Sequence, residues 1–335
     1  MALIHLFADQ VPFKAGSRAM QSINRRAFLG ATASAAALGA TNLLRAANSA
    51  DRSTIPASDS EGPPATPMIK LGKSGIEMSR LGQGTGVYGT NRQWNQSRLG
   101  TNTLVDLMRH AYDRGIRFFD LADLYGTHPY FREALKSMDR DTLAILTKIW
   151  WRYDGPEDQT TLPERRQMAR TTLERFRREL ATDYLDIVLL HCLTKPNWDE
   201  QMGPYMDVLN EEKEKGCVRA VGCSCLDLQA LQTAAESPWV DVILARINMQ
   251  GGTEMMMDGT REEVETVLRT ARKNGKAIVG MKILGEGRLA NQRDACLKYA
   301  QESGLLDAMT IGFQQPEQID EVLRLMYKYP ATALA

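Results

Sequence analysis

Four side chains of different chemistry stand where successive apolar runs end. Asp120 closes the apolar part of IRFFDLADLYG, Tyr125 follows five residues later, Lys148 closes LAILTK, and His191 closes YLDIVLLH. Short apolar runs separated by helical stretches read as β-strands, so three consecutive strands bring an acid, a phenol, an amine and an imidazole to one rim. A free tyrosine has a pKa near ~10 and is a slow acid at neutral pH unless its phenolate is stabilised. A lysine ammonium within hydrogen-bond distance does that, and a buried carboxylate keeps the lysine charged and oriented. The set suits proton delivery to a carbonyl oxygen. Asp120 would hold Lys148, Lys148 would tune Tyr125, Tyr125 would give or take the proton, and His191 would hydrogen-bond the substrate oxygen. None of these groups supplies a hydride, so the reading requires a redox cofactor. A buried Asp–Lys pair also occurs in barrel cores for packing reasons alone; all four groups at successive strand ends favour catalysis.

The elements that must position them alternate along the chain. TNTLVDLMRHAYDRG reads as a helix leading into IRFFD, with Gly115 where a helix C-cap belongs. HPYFREALKSM precedes LAILTK, ERRQMARTTLERFRREL precedes DYLDIVLLH, and four further helix-and-strand pairs lead to the closing helix PEQIDEVLRLMYKY. Apolar strands alternating with amphipathic helices argue for a parallel sheet with helices outside. Eight such units favour closure into a (β/α)8 barrel.

The segments LGQGTGVYG (81–89), FFDLADLYG (118–126), TK (147–148), DYLDIVLLH (183–191), GCVRAVGCS (216–224) and IGFQQPEQIDEVL (311–323) together resemble the aldo-keto reductases, from about Met68 to Tyr329. The resemblance implies a (β/α)8 TIM barrel, with MIKLGKSGIEMSR as an N-terminal β-hairpin plugging its floor. It also implies NADP or NAD across the strand C-termini and a tetrad of Asp120, Tyr125, Lys148 and His191. The implied reaction interconverts a carbonyl (aldehyde, ketone or sugar) and an alcohol.

Cofactor contacts implied by the resemblance fall on Gly84, Thr85, Ser224, Cys225, Asn248, Met281, Lys282, Gly285, Arg288, Gly312 and Gln318. Several depart from the family pattern. Ser224 keeps the serine that bonds the nicotinamide amide, but its usual asparagine neighbour is Cys225. The usual glutamine of the next strand is Leu244, leaving Asn248 to take a polar role. The usual stacking aromatic is Met281, a polarizable substitute. The lysine and arginine that usually grip a 2′-phosphate fall at Gly312 and Gln318, and the usual asparagine at Val322. Missing cations weaken the charge-assisted bonds that favour NADP over NAD, with Lys282 and Arg288 as candidate replacements. The N-terminus of the last helix, near Gln315–Glu317, still offers backbone amides to a phosphate. The short GEGRL stretch argues against a loop that folds over the pyrophosphate. On the substrate side, Tyr88, Trp150 and Trp151 suggest an aromatic wall. The chain ends just past its last helix, which leads us to expect an open site suited to larger substrates.

Composition narrows the partners. Lys plus Arg number 41 and Asp plus Glu 41, which leaves no electrostatic case for nucleic acid. The arginines from 165 to 178 interleave with Leu and Phe at helical spacing and read as a solvated helix face. The five cysteines show no zinc spacing, and no metal is expected. Cys192, Cys223 and Cys225 flank His191 and Ser224; alternation puts Cys192 and Cys223 opposite them, as packed free thiols in preference to a disulfide. A monomer or small homo-oligomer is expected.

The beginning carries a separate message. Ser22-Ile-Asn-Arg25-Arg26-Ala-Phe28-Leu29-Gly30, an Ala/Gly/Leu stretch and Arg45 before AANSA resemble a twin-arginine export signal. The expected organisation is a signal peptide over 1–50, a Pro/Ser-rich flexible linker over 51–67, and the barrel over 68–335. The protein would then be a client of the twin-arginine export machinery and periplasmic, loaded with its cofactor before crossing. A cytoplasmic or membrane-tethered protein is the alternative. A non-catalytic barrel that binds a dinucleotide or a partner is the rival to the enzyme.

Overall fold

The computed structural model describes residues 64–154 and 160–334. The expected leader and residues 51–63 of the expected linker lie outside them. Thr66, at the end of that linker, is buried, and its Oγ1 accepts a hydrogen bond from Leu81 N. The fold therefore begins slightly before Met68.

Two antiparallel strands come first, β1 (Met68–Leu71) and β2 (Ile76–Ser79). Strand β3 (Leu81–Gly84) is followed by a small hairpin of β4 (Gly89–Thr90) and β5 (Gln93–Trp94). The remaining strands are β6 (Phe118–Asp120), β7 (Ala144–Ile149), β8 (Leu185–Leu193), β9 (Val218–Cys225), β10 (Val242–Arg246), β11 (Ala277–Met281) and β12 (Ala308–Gly312). Eight strands close a barrel in the order β10-β11-β12-β3-β6-β7-β8-β9, parallel throughout. The helices between them are α1 (Thr101–Asp113), α2 (His128–Leu135), α3 (Leu162–Leu180), α4 (Trp198–Gln201), α5 (Gly203–Glu214), α6 (Leu228–Glu236), α7 (Arg261–Lys273), α8 (Arg293–Glu302) and α9 (Pro316–Lys328). This is the (β/α)8 barrel that the alternation called for.

Two apolar layers follow from the two faces of each strand. Phe118, Ala144, Leu146, Ile187, Leu189, Ala220, Val242, Leu244, Ala277, Val279 and Ala308 fill the interior. Leu71, Ile76 and Met78 from the β1–β2 hairpin join the same cluster and seal its floor. The alternate residues, such as Phe119, Ile145 and Val188, pack outward against the helices. Gly82 is a space requirement here: a Cβ would come within 2.2 Å of the Phe118 ring.

Continuing that alternation to the strand ends gives the rim. Asp120, Lys148, His191, Ser224, Arg246 and Met281 follow interior positions on their strands, two residues after Phe118, Leu146, Leu189, Gly222, Leu244 and Val279. The helix termini are set locally. Thr161 with Glu164, and Thr260 with Glu263, form capping boxes at the starts of α3 and α7. The arginines of α3 are solvated only in part: Arg166 and Arg170 pair with Glu211 of α5 and Arg177 pairs with Glu212, whereas Arg165 is buried and donates from Nε to Thr160 Oγ1 at 2.9 Å. Arg166, Arg170 and Arg177 thus form an interhelical ion-pair layer with α5, and Arg178 pairs with Glu174 of its own helix.

Candidate active site

Asp120 ends β6 inside the barrel, and the chain then makes a short turn, Asp123–Tyr125, that brings the phenol back over the rim. Buried Asp123 locks this turn from two sides, accepting from Arg175 of α3 at 2.7 Å and from Arg92 of the β4–β5 hairpin at 3.1 Å. Lys148 is fully buried on β7, and its Nζ donates to Asp120 Oδ1 and, at 2.7 Å, to Leu121 O. The same Nζ lies 4.7 Å from the Tyr125 ring centroid. The His191 ring meets the Tyr125 ring edge-on at 5.6 Å. All four residues named from the sequence therefore converge on one point of the rim. His191 Nδ1 is buried and has no hydrogen-bond partner among the described residues, an arrangement that costs free energy unless a ligand completes it.

The electrostatics differ from what the lysine alone would produce. Burial pushes the Tyr125 phenol well above its ordinary range, and the Asp120 charge adds to that. Burial also lowers Lys148, with Asp120 opposing the fall. His191 is held well below the usual imidazole range, first by burial and then by Lys148 and Lys282. At neutral pH the site therefore contains a protonated phenol and a neutral imidazole. Burial and the Asp120 charge, and not Lys148, dominate the phenol in this state.

Two positioning residues escaped sequence reading. Trp94, on β5, lies 4.9 Å from the Tyr125 ring and donates from Nε1 to Leu124 O at 3.2 Å. Gly86 lies under the same ring: a Cβ there would come within 2.3 to 2.4 Å of three ring carbons. Gly86→Ala must therefore displace the phenol. A shift of about 1 Å at a reacting group can cost roughly 100-fold in rate. We expect that loss in kcat/KM with an unchanged far-UV circular dichroism spectrum; wild-type kinetics would show that the ring has no role.

The cofactor candidates divide sharply. Ser224 faces the interior and its Oγ accepts from Cys192 N at 3.0 Å, while Met281 and Lys282 stand at the end of β11. Thr85 is buried and donates to Asp120 O at 2.9 Å, bracing the tetrad. Cys225 points the other way, into the outer layer, because it alternates with Ser224. Asn248 is consumed by its own loop: Nδ2 donates to Met255 O at 2.7 Å, and Oδ1 accepts from Gly251 N at 3.0 Å. Gln318 caps α9, its Oε1 accepting from Gln314 N at 2.8 Å, within a capping box shared with Gln315. A Cβ on Gly312 would strike Val87 Cγ2 at 2.1 Å and Gln96 Nε2 at 2.8 Å, so the loop after β3 packs directly over it. Buried Gly285 has φ +55 in the tight loop after β11. Lys282 and Arg288 both pair with Glu286 of that loop, at 2.8 and 3.5 Å. Glu286 was not singled out from the sequence. The orphaned imidazole nitrogen, the inward serine and the sulfur of Met281 fit a nicotinamide ring; the positions assigned to a 2′-phosphate offer it no unpaired cation.

On the substrate side, the Trp150 ring lies 5.5 Å from His191, and Trp151 Nε1 donates to His191 O at 2.9 Å. Tyr88 is 59% exposed with φ +45, on the loop after β3. The alternation expected for Cys192 fails. A bulge lies between Leu190 and Leu193, and Cys192 has φ +59, so the thiol comes within electrostatic reach of Lys148. Burial drives that thiol up to about 11. Cys192, Cys223 and Cys225 are all free thiols.

The model of the aldo/keto reductase family matches residues 80–301. The chain is 28% identical over 193 residues to the NADH-specific methylglyoxal reductase of Escherichia coli, covering 54% of this chain and 59% of that protein. It is 28% identical over 247 residues to versiconal hemiacetal acetate reductase of Aspergillus parasiticus, covering 66% and 68%. The first match thus spans less than two thirds of its relative's length. The holo form of an aldo-keto reductase from Bacillus halodurans superposes with a TM-score of 0.61 at 17% identity, over 80% of this chain and 93% of that one, a likeness of fold. The family model, the closed barrel and the matching segments lead to one statement: the chain belongs to the aldo/keto reductase family.

Proposed function

We propose that the barrel is an NAD(P)-dependent oxidoreductase interconverting a carbonyl compound (aldehyde, ketone or sugar) and its alcohol, with Tyr125 as the proton donor and acceptor. The observation that carries this reading is the convergence of phenol, ammonium and imidazole on one rim, with His191 Nδ1 lacking a partner among the described residues. A nicotinamide dinucleotide, when bound, supplies the hydride. Ser224, Met281 and Lys282 are the residues that would hold its nicotinamide end. Neutral His191 orients the substrate oxygen. As negative charge develops there, Tyr125 gives up its proton, and the buried Lys148 ammonium stabilises the phenolate left behind. Asp120 keeps that ammonium charged and fixed.

The protonation states give a pH dependence. A phenol held above its usual range stays protonated through neutral pH, so reduction should be flat there and decline only in strongly alkaline buffer. Alcohol oxidation needs the phenolate and should rise with pH over the same interval. Initial rates in both directions across pH check this; a reduction limb falling near neutrality would mean another group donates the proton.

The function itself is tested by following reduced-nicotinamide absorbance with NADH and NADPH against an aldehyde panel that includes methylglyoxal, the substrate named for the Escherichia coli relative. Turnover of no carbonyl, with either dinucleotide, would sink the proposal. Export through a twin-arginine leader is the second part of the proposal, supported by the Arg25-Arg26 segment. Fractionation of cells expressing the full chain and an Arg25→Lys/Arg26→Lys variant tests it; equal distribution of the two would refute export by that route.

A further inference from the structure

Among the described residues, four cations at the barrel mouth act on the Cys192 thiol: Lys148, Arg246, Lys282 and Arg152. Three of them have a carboxylate. Lys148 pairs with Asp120, Arg246 with Asp258, and Lys282 with Glu286. Arg152 has none among the described residues; its contact is Nη2 to Thr194 Oγ1 at 3.5 Å, the outer limit of a hydrogen bond. Its Nε is buried with no hydrogen-bond partner. The guanidinium carbon instead lies 5.5 Å from the Trp150 ring and 5.2 Å from the Trp151 ring. These are the two rings that lead to the tetrad, one by its edge contact with His191 and the other by its bond to His191 O.

An aromatic wall orients a guanidinium but satisfies none of its in-plane donors. A planar fork with an unfilled N–H, one aromatic ring away from the reacting position, is the geometry that takes an oxyanion. We propose that the natural carbonyl substrate bears an anionic group, a carboxylate or a phosphate, and that Arg152 binds it beside Trp150 and Trp151. This rests on the oxidoreductase reading and names its substrate class. Of these four cations the three paired ones are largely neutralised by their carboxylates, which leaves Arg152 as the one with charge to offer such a substrate.

The test compares matched substrates on the wild type, Arg152→Ala and Arg152→Lys. Succinic semialdehyde is set against butanal for the carboxylate, and glyceraldehyde 3-phosphate against glyceraldehyde for the phosphate. In the wild type one charged partner should be preferred by about ten- to a hundredfold in kcat/KM, the range for a hydrogen bond to a charged group. That preference should collapse toward unity in Arg152→Ala, through KM, and return in part in Arg152→Lys. The pair that shows the preference identifies the anion. Equal use of charged and neutral partners by the wild type, or a preference that survives in Arg152→Ala, overturns the proposal. A separate readout is quenching of tryptophan fluorescence by succinate and by inorganic phosphate. Binding that is lost in Arg152→Ala while no aldehyde is reduced would keep the anion site and reject the oxidoreductase reading.

Discussion

Tyr125→Phe should lower turnover by about 100- to 10,000-fold, the usual contribution of a positioned acid, and leave dinucleotide binding within about twofold of wild type. The reason for expecting so clean a separation is the packing. The ring is held by Trp94 at 4.9 Å, by His191 at 5.6 Å and by the Gly86 backbone, and none of these contacts uses the hydroxyl. The Lys148 and Asp120 pair is likewise independent of it. Steady-state rates, with fluorescence titration of NADH and NADPH, measure the two quantities. Surviving turnover would remove Tyr125 from the mechanism. A wild type that binds dinucleotide but turns over nothing, identical in this respect to the variant, would favour the barrel as a binding module. That rival draws what support it has from Asn248 and Gln318, whose amides are committed to their own loops.

The second large effect is on stability. Lys148 is fully buried, and the Asp120 side chain it holds is only 8% exposed. Lys148→Met leaves that carboxylate in an apolar interior without its partner, and breaking a buried pair this way costs about 3–5 kcal/mol. Activity should fall as well, because the phenolate loses its ammonium. The double variant Asp120→Asn/Lys148→Met separates the two consequences. It removes the stranded charge and should recover much of the thermal stability while staying inactive. Denaturant unfolding and kinetics on the three proteins check this. A single variant as stable as wild type would mean that losing Lys148 does not strand the Asp120 carboxylate in an apolar interior. Recovery of activity in the double variant would mean that the ion pair is structural and not catalytic.

The sequence by itself determined the barrel and the tetrad, because both are written in short-range patterns. Alternation along each strand puts Asp120, Lys148 and His191 on the interior face at the C-terminal rim. The strand-and-helix order leaves the rim as the only place they can meet. The same rule turns Cys225 outward, since it follows inward Ser224, whereas the family resemblance assigns it to the cofactor. What only the tertiary structure decided is who pairs with whom. Trp94 reaches Tyr125 from 31 residues away because Asp123 ties Arg92 of the β4–β5 hairpin to the catalytic turn. Cys192 leaves the alternation through a bulge that no residue type announces. Lys282 and Arg288 look like free phosphate-binding cations until Glu286 is seen to hold both. Arg152 looks like one more surface charge until Lys148, Arg246 and Lys282 are each found to have a carboxylate while Arg152 has none among the described residues. Strand period is a property of neighbouring residues and can be read in order. Charge balance in a buried mouth is set by groups brought together from six loops and strands, and it exists only once the chain has closed on itself.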